Sequence, residues 1–112
     1  MTDDFTIRTT GPQTEYETGY RRDGREGKVM FTTLDWGMIE RAAAHMTKGA
    51  ARYGKHNWRN AETERELEDA TDSLWRHVLG FVRNDRSEDH WGGIYHNCTV
   101  IEHVRAKRNL ND

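Results

Sequence analysis

The sequence predicts an all-α fold, a small helical bundle of about three main helices preceded by an extended N-terminal arm. Apolar residues recur at three- and four-residue steps in three separate stretches after Leu34. The single proline, Pro12, lies ahead of all three. Only 34% of the 112 residues are hydrophobic and 32% are charged, so the core must come from a few amphipathic helices. The composition changes near residue 32, dividing the chain into a polar arm, 1–32, and a helical domain, 33–112.

The arm is rich in Thr, Gly, Arg and Asp and shows neither a helical nor a strand period. Its run Tyr20–Lys28 carries Arg21, Arg22, Arg25 and Lys28, a composition that suits wrapping an anion but on its own reads as a solvated tail. The first helix follows, with Ile39, Ala42, Ala43, Met46, Ala50 and Tyr53 as its apolar positions. Thr33 or Asp35 is its cap, and Gly54 its stop. The connection Arg52–Asn60 is full of planar and hydrogen-bonding side chains. Tyr53 and Trp58 suit stacking on a nucleobase and Asn57 suits reading its edge, although a tryptophan beside a short loop more often plugs a bundle end.

Thr63 and Glu66 form a capping-box pattern that opens a second helix, about 63–83. Its apolar stripe is Leu67, Ala70, Leu74, Val78 and Phe81, widened by Trp75 and Val82. The opposite face gathers Glu66, Asp69, Asp72, Ser73, Arg76 and His77, an excess of carboxylate that suits water or a cation. Asn84-Asp85-Arg86 breaks the helix and Ser87 caps a third, about 88–108, with Glu88 and Asp89 in its first turn. Trp91, Ile94, Cys98, Ile101 and Val104 make its predicted buried stripe, which places Cys98 in the core. Gly92 and Gly93 weaken this helix locally unless a close backbone approach requires them. Asn97, one residue off the stripe, either faces the acidic side chains or satisfies a backbone group.

Composition narrows the function classes. A net charge of −2 argues against a duplex nucleic-acid binder, whose footprint is clearly basic. One cysteine cannot form an internal disulfide, and no apolar run approaches the length of a membrane span, so a cytoplasmic protein without membrane contact is expected. A chain of this size gains from burying its apolar faces in a dimer or tetramer. No Cys and His spacing suggests zinc.

The motifs Gly49-Ala50-Ala51-Arg52-Tyr53-Gly54 with Asn57-Trp58, Asp72 with Arg76-His77, and Asp85-Arg86-Ser87-Glu88-Asp89-His90 resemble those of a phage protein family. That family is the dATP/dGTP diphosphohydrolase N-terminal domain, related to MazG-like all-α nucleotide pyrophosphohydrolases. Gly19, Arg22-Asp23 and Glu26-Gly27-Lys28 extend the resemblance, which runs from about Tyr16 to Val104. It implies a helical homo-oligomer in the host cytoplasm that uses Mg²⁺, with Mn²⁺ as the alternative, to split a purine deoxynucleoside triphosphate into monophosphate and pyrophosphate. Relatives hold the metal with acidic pairs three residues apart on two helices. Asp69 and Asp72 would be one pair here, and Glu88 with Asp85 or Asp89 the other side. The expected metal ligands are therefore Asp69, Asp72, Glu88 and Asp89, with Glu66 or His77 orienting or deprotonating the water. Lys28, Arg76 and Arg86 would balance phosphate charge, and Arg52, Tyr53, Asn57, Trp58 and Asn97 would meet the nucleotide. The first pair departs from the family's glutamates, and Trp91–His96 replaces a small, alanine-rich run. A pocket that sequesters a nucleotide without turnover is the alternative, and a helical interaction module the plainer one.

Overall fold

The computed structural model describes residues 11–109. These fall into two compact units, one ending at Thr33 and one beginning at Leu34.

The first unit contains a small antiparallel hairpin, β1 (Thr14–Glu15) with β2 (Arg21–Arg22), in which Thr14 faces Arg22 and Glu15 faces Arg21. The turn is closed by the Gly19 amide donating to the Tyr16 carbonyl at 2.8 Å, with Gly19 at φ 88°, a conformation open to glycine without steric cost. Tyr16 and Tyr20 stack across it with ring centroids 5.5 Å apart. Two-residue strands are too short for an alternating pattern, so the hairpin escapes a reading based on period. Lys28 belongs to this unit, its amide donating to the Arg25 carbonyl at 3.0 Å.

The second unit holds three helices: α1 (Trp36–Tyr53), α2 (Glu64–Val82) and α3 (His90–Lys107). Asp35 caps α1 by accepting from the Met38 amide at 3.0 Å, and Gly54 ends it at φ 95°. Thr63 and Glu66 cap α2 reciprocally, as the capping-box pattern requires. Asn84, at φ 58°, closes α2: the Asp85 amide donates to the Gly80 carbonyl at 2.9 Å and the Asn84 amide to Phe81 at 3.1 Å, a Schellman pair.

α3 is the middle of the unit and packs against both α1 and α2, which have no close backbone approach to each other. The core is Ala70 from α2 with Val100, Ile101 and Val104 from α3, joined by partly buried Trp58, Ala61, Leu67 and Leu74. Trp58 therefore plugs that end of the bundle.

Three expectations change. Cys98 is exposed and not part of the core, because α3 turns Gly93, Asn97, Val100, Ile101 and Val104 inward, and Cys98 lies about 100° round from Asn97. Trp75, Phe81 and Val82 are exposed, because the inner line of α2 runs through Ala70 and His77. Ser87 does not cap α3: Asp89 does, accepting from the Gly92 amide, so Glu88 lies just ahead of the helix and not in its first turn. No helix among the described residues is long and apolar enough to cross a membrane.

Candidate functional site: a wide cleft and a histidine–carboxylate corner

A cleft of about 790 Å³ opens along the C-terminal half of α1, the turn that follows it, and His96 of α3. Its walls carry Arg52, Tyr53, Asn57 and Trp58, four residues that the sequence assigns to ligand contact, together with Lys48, Lys55, His45 and His56. Gly54 lets the chain leave α1 sharply, and His56 at φ 63° starts the short 3-10 turn Asn57–Asn60 that aims Trp58 back over the bundle. One face of Trp58 is covered by the Arg59 guanidinium, 5.1 Å from the ring centroid, and His56 and His103 meet the ring edge-on. Tyr53 stays 61% exposed with the Arg52 guanidinium 5.3 Å from its centroid, so an aromatic face and a cation stand side by side at the rim.

Within the cleft, His45 and His96 tilt toward each other with centroids 6.0 Å apart. Burial lowers the pKa of His96 below the usual imidazole range, and the neighbouring His45 lowers it further, so His96 is a neutral base at pH 7. Neither histidine stands in a recognisable motif. In the sequence this wall is signalled by the planar and hydrogen-bonding side chains crowded into Arg52–Asn60.

The second feature is the corner where α2 ends and α3 begins. His77 and His90 are both buried, with Nδ1 atoms 3.0 Å apart. Each ring is seated on a glycine of the facing helix: a Cβ on Gly93 would strike the His77 ring, and a Cβ on Gly80 the His90 ring. Gly92 does the same for α1, where a Cβ would fall 2.5 Å from that of His45. The glycines in α3 are thus close approaches, and their cost in helix propensity is offset by the rings they admit.

The hydrogen bonds fix the tautomers. Arg76 can only donate, so its Nη2, 3.1 Å from His77 Nε2, makes that nitrogen an acceptor. Neutral His77 then carries its proton on Nδ1 and donates it to His90 Nδ1. His90 in turn donates from Nε2 to Asp85 Oδ2 at 2.8 Å. That bond, with the Ser87 amide and hydroxyl donating to Oδ1, holds the Asp85 carboxyl down at about 2. Burial lowers the His77 pKa, and Arg76 adds to the shift.

The carboxylates of the corner are engaged. Glu88 accepts from Arg76 at 3.1 Å, which lowers its pKa, and Asp89 accepts from Arg41 of α1 at 2.6 Å, which does the same. Asp69 is exposed beside Arg65, and Asp72 is exposed one turn before Arg76. Asp69, Asp72, Glu88 and Asp89 do not form a shared cage. Among the described residues, the grouping in which three or more metal-binding side chains bring ligand atoms within 4.8 Å of one another is His77, Glu88 and His90. Two nitrogens and one carboxylate do not match the all-oxygen shell that Mg²⁺ takes.

Other expected residues are also placed elsewhere. Glu66 is spent on the amides of Glu62 and Thr63, which lower its pKa, and it lies eleven residues before His77 on one helix, about 16 Å away. It is not a base for this site. His77 has both ring nitrogens bonded and is not free to take a proton from water. Asn97 is buried and donates to the Gly93 carbonyl at 2.8 Å and the Ser73 hydroxyl at 3.3 Å, clasping α3 to α2. Arg86 donates to the Asn84 side chain at 2.7 Å on the rim of a small hollow of about 190 Å³ that also borders Asp85, Glu88 and His90.

No curated protein and no solved structure matches the chain. A family model described as dATP/dGTP diphosphohydrolase, N-terminal, matches residues 18–112, which takes in the turn of the hairpin, the cleft and the corner. With that share of its length matched, the chain belongs to the dATP/dGTP diphosphohydrolase N-terminal family.

Proposed function

We propose that the protein is a nucleoside triphosphate pyrophosphohydrolase acting on purine deoxynucleotides, in the manner the family's description names. The observation that carries this reading is the cleft: about 790 Å³ suits a nucleotide, and its wall puts the planar rings of Tyr53 and Trp58 beside Asn57 and the cations Lys48, Arg52 and Lys55. Tyr53 would stack on the base and Asn57 would read its edge. The three cations would draw the phosphates inward and neutralise the pyrophosphate as it leaves.

Hydrolysis joins a water oxygen to the α-phosphorus, breaks the bridging bond to the β-phosphate and releases monophosphate and pyrophosphate. His96, neutral and lining the cleft, would take the proton from that water, with His45 beside it as the polar neighbour. Mg²⁺ or Mn²⁺ enters this proposal as the counter-ion of the substrate's own triphosphate. A second copy of the chain is proposed to cover the exposed line Trp75, Leu79 and Val82 on α2, giving the homo-oligomer that the family resemblance implies.

Incubation with dATP or dGTP and Mg²⁺ is expected to release pyrophosphate, and His96→Gln to slow release by about 10² while nucleotide affinity persists. Unchanged turnover in that variant removes His96 from the reaction. A second reading keeps the cleft and drops the chemistry, favoured by the fact that Glu88 and Asp89 are tied into ion pairs with arginines and Asp85 is hydrogen-bonded to His90. Tight nucleotide binding in calorimetry, with the ligand recovered intact, would select it.

A further inference from the structure

We propose that the α2–α3 corner is a binding site for a first-row transition-metal dication, held by His77, Glu88 and His90, and that Arg76 competes with that cation for Glu88. The geometry is already that of a ligand set. His77 Nδ1 lies 3.0 Å from His90 Nδ1 and 3.8 Å from Glu88 Oε1, and one ligand atom of each residue falls within 4.8 Å of the others. Metal–nitrogen bonds of about 2.1 Å put neighbouring ligands roughly 3.0 to 3.4 Å apart, so small adjustments complete the triangle.

The imidazoles are also held in place. Both are buried, and Gly93 and Gly80 leave the helix backbones close enough to lock their rings. His90 donates from Nε2 to Asp85, which turns the Nδ1 lone pair inward and sets a carboxylate behind the ligand, the support that metal-binding histidines commonly have. Glu88 is half-exposed and supplies the open, anionic side. Two imidazoles and one carboxylate favour ions from Mn²⁺ to Zn²⁺ over Mg²⁺, whose shell is built from oxygen.

Arg76 sets the cost of entry. Its two amino groups reach Glu88 and His77 Nε2, both at 3.1 Å. For His77 to ligate through Nδ1, its proton must pass to Nε2 through solvent, with none gained or lost, and Arg76 must withdraw from that nitrogen. At 58% exposure its side chain has room to do so. Metal entry would therefore release a guanidinium at the edge of the site.

The test titrates the untagged, metal-stripped protein with Co²⁺, followed by calorimetry and by the visible absorption of the bound ion. One Co²⁺ per chain is expected, not displaced by millimolar Mg²⁺. Glu88→Gln, a change at a half-exposed side chain that leaves the packing intact, should weaken binding at least tenfold, and His90→Asn should do the same. Arg76→Gln should tighten binding, which a merely structural arginine would not do, and Glu102→Gln should leave it unchanged. Equal Co²⁺ affinity in Glu88→Gln, or displacement by an equal concentration of Mg²⁺, overturns the assignment. The readout is independent of hydrolysis: a chain that binds Co²⁺ here yet turns over no nucleotide keeps this site and loses the enzymatic reading.

Discussion

The two joints of the helical unit are built on opposite plans. Between α1 and α2 the chain takes a wide path, leaves Tyr53 largely bare, and walls a cleft in which cations have few partners of opposite charge. Between α2 and α3 it turns tightly, and Asp85, Glu88 and Asp89 each have a basic partner from another part of the unit. The first joint is shaped to receive something. The second is already satisfied internally, so it admits only a species able to outcompete an ion pair. A cleft prepared for a ligand and a corner prepared for an ion thus occupy the two ends of one short unit, with His45 in electrostatic reach of histidines in both.

The contrast is sharpest where the same substitution is made on each side. Gly93→Ala pushes a methyl group into the His77 ring and should destabilise by about 2 kcal/mol, lowering Tm by roughly 10 °C. A Tm within a degree of the parent would mean that the corner is loose. Tyr53→Ala should weaken binding of a non-hydrolysable dGTP analogue about tenfold while Tm stays put, since the ring is mostly in solvent. Unaltered affinity would take the base away from that wall. Gly49→Ala, where an added Cβ meets nothing within 4 Å, should raise stability by about 0.5 to 1 kcal/mol, the reverse of the Gly93 result.

The remaining effects are smaller. His96 has a folded pKa below its unfolded value of about 6.5, so the unfolded chain binds the proton first. Its contribution is complete above pH 6.5 and is lost as the pH falls from there toward the lowered value. Melting curves at pH 7.5 and 5.5 should show this drop, and His96→Gln should reduce it. Asp69→Asn should change stability least, by less than about 0.5 kcal/mol, because its pair with Arg65 is exposed on the surface of one helix. A larger loss would return Asp69 to the list of residues under structural or ionic load.

Helix content and ends were legible because they depend on local chemistry: caps at Asp35 and Thr63, a stop at Gly54, and a break at Asn84-Asp85 all act within a few residues. Facing was less so. Counting His77 as polar put it outside on α2, whereas the glycine opposite it on α3 makes room for the ring and draws it inward. The same error sent Cys98 inside. Tyr53, Asn57 and Trp58 were legible as ligand-facing because planar and hydrogen-bonding side chains crowd the end of α1 and the turn after it, but His45 and His96 reach the cleft only through the packing of α1 on α3. Carboxylates counted along the sequence looked available for a metal. Arg41, a partner 48 residues away from Asp89, is visible only in three dimensions.

The outward position of Cys98 has a practical side. As the single thiol in the chain, it offers one chemically unique point for attaching a fluorophore or spin label, on the helix that touches both neighbours. The response of α3 to added ligand can be monitored from that point without altering any residue of the cleft. Unless a reductant is kept in the buffer, the same thiol will also couple chains pairwise in air, and such a dimer should be recognised by its disappearance on reduction before any assembly is counted as native.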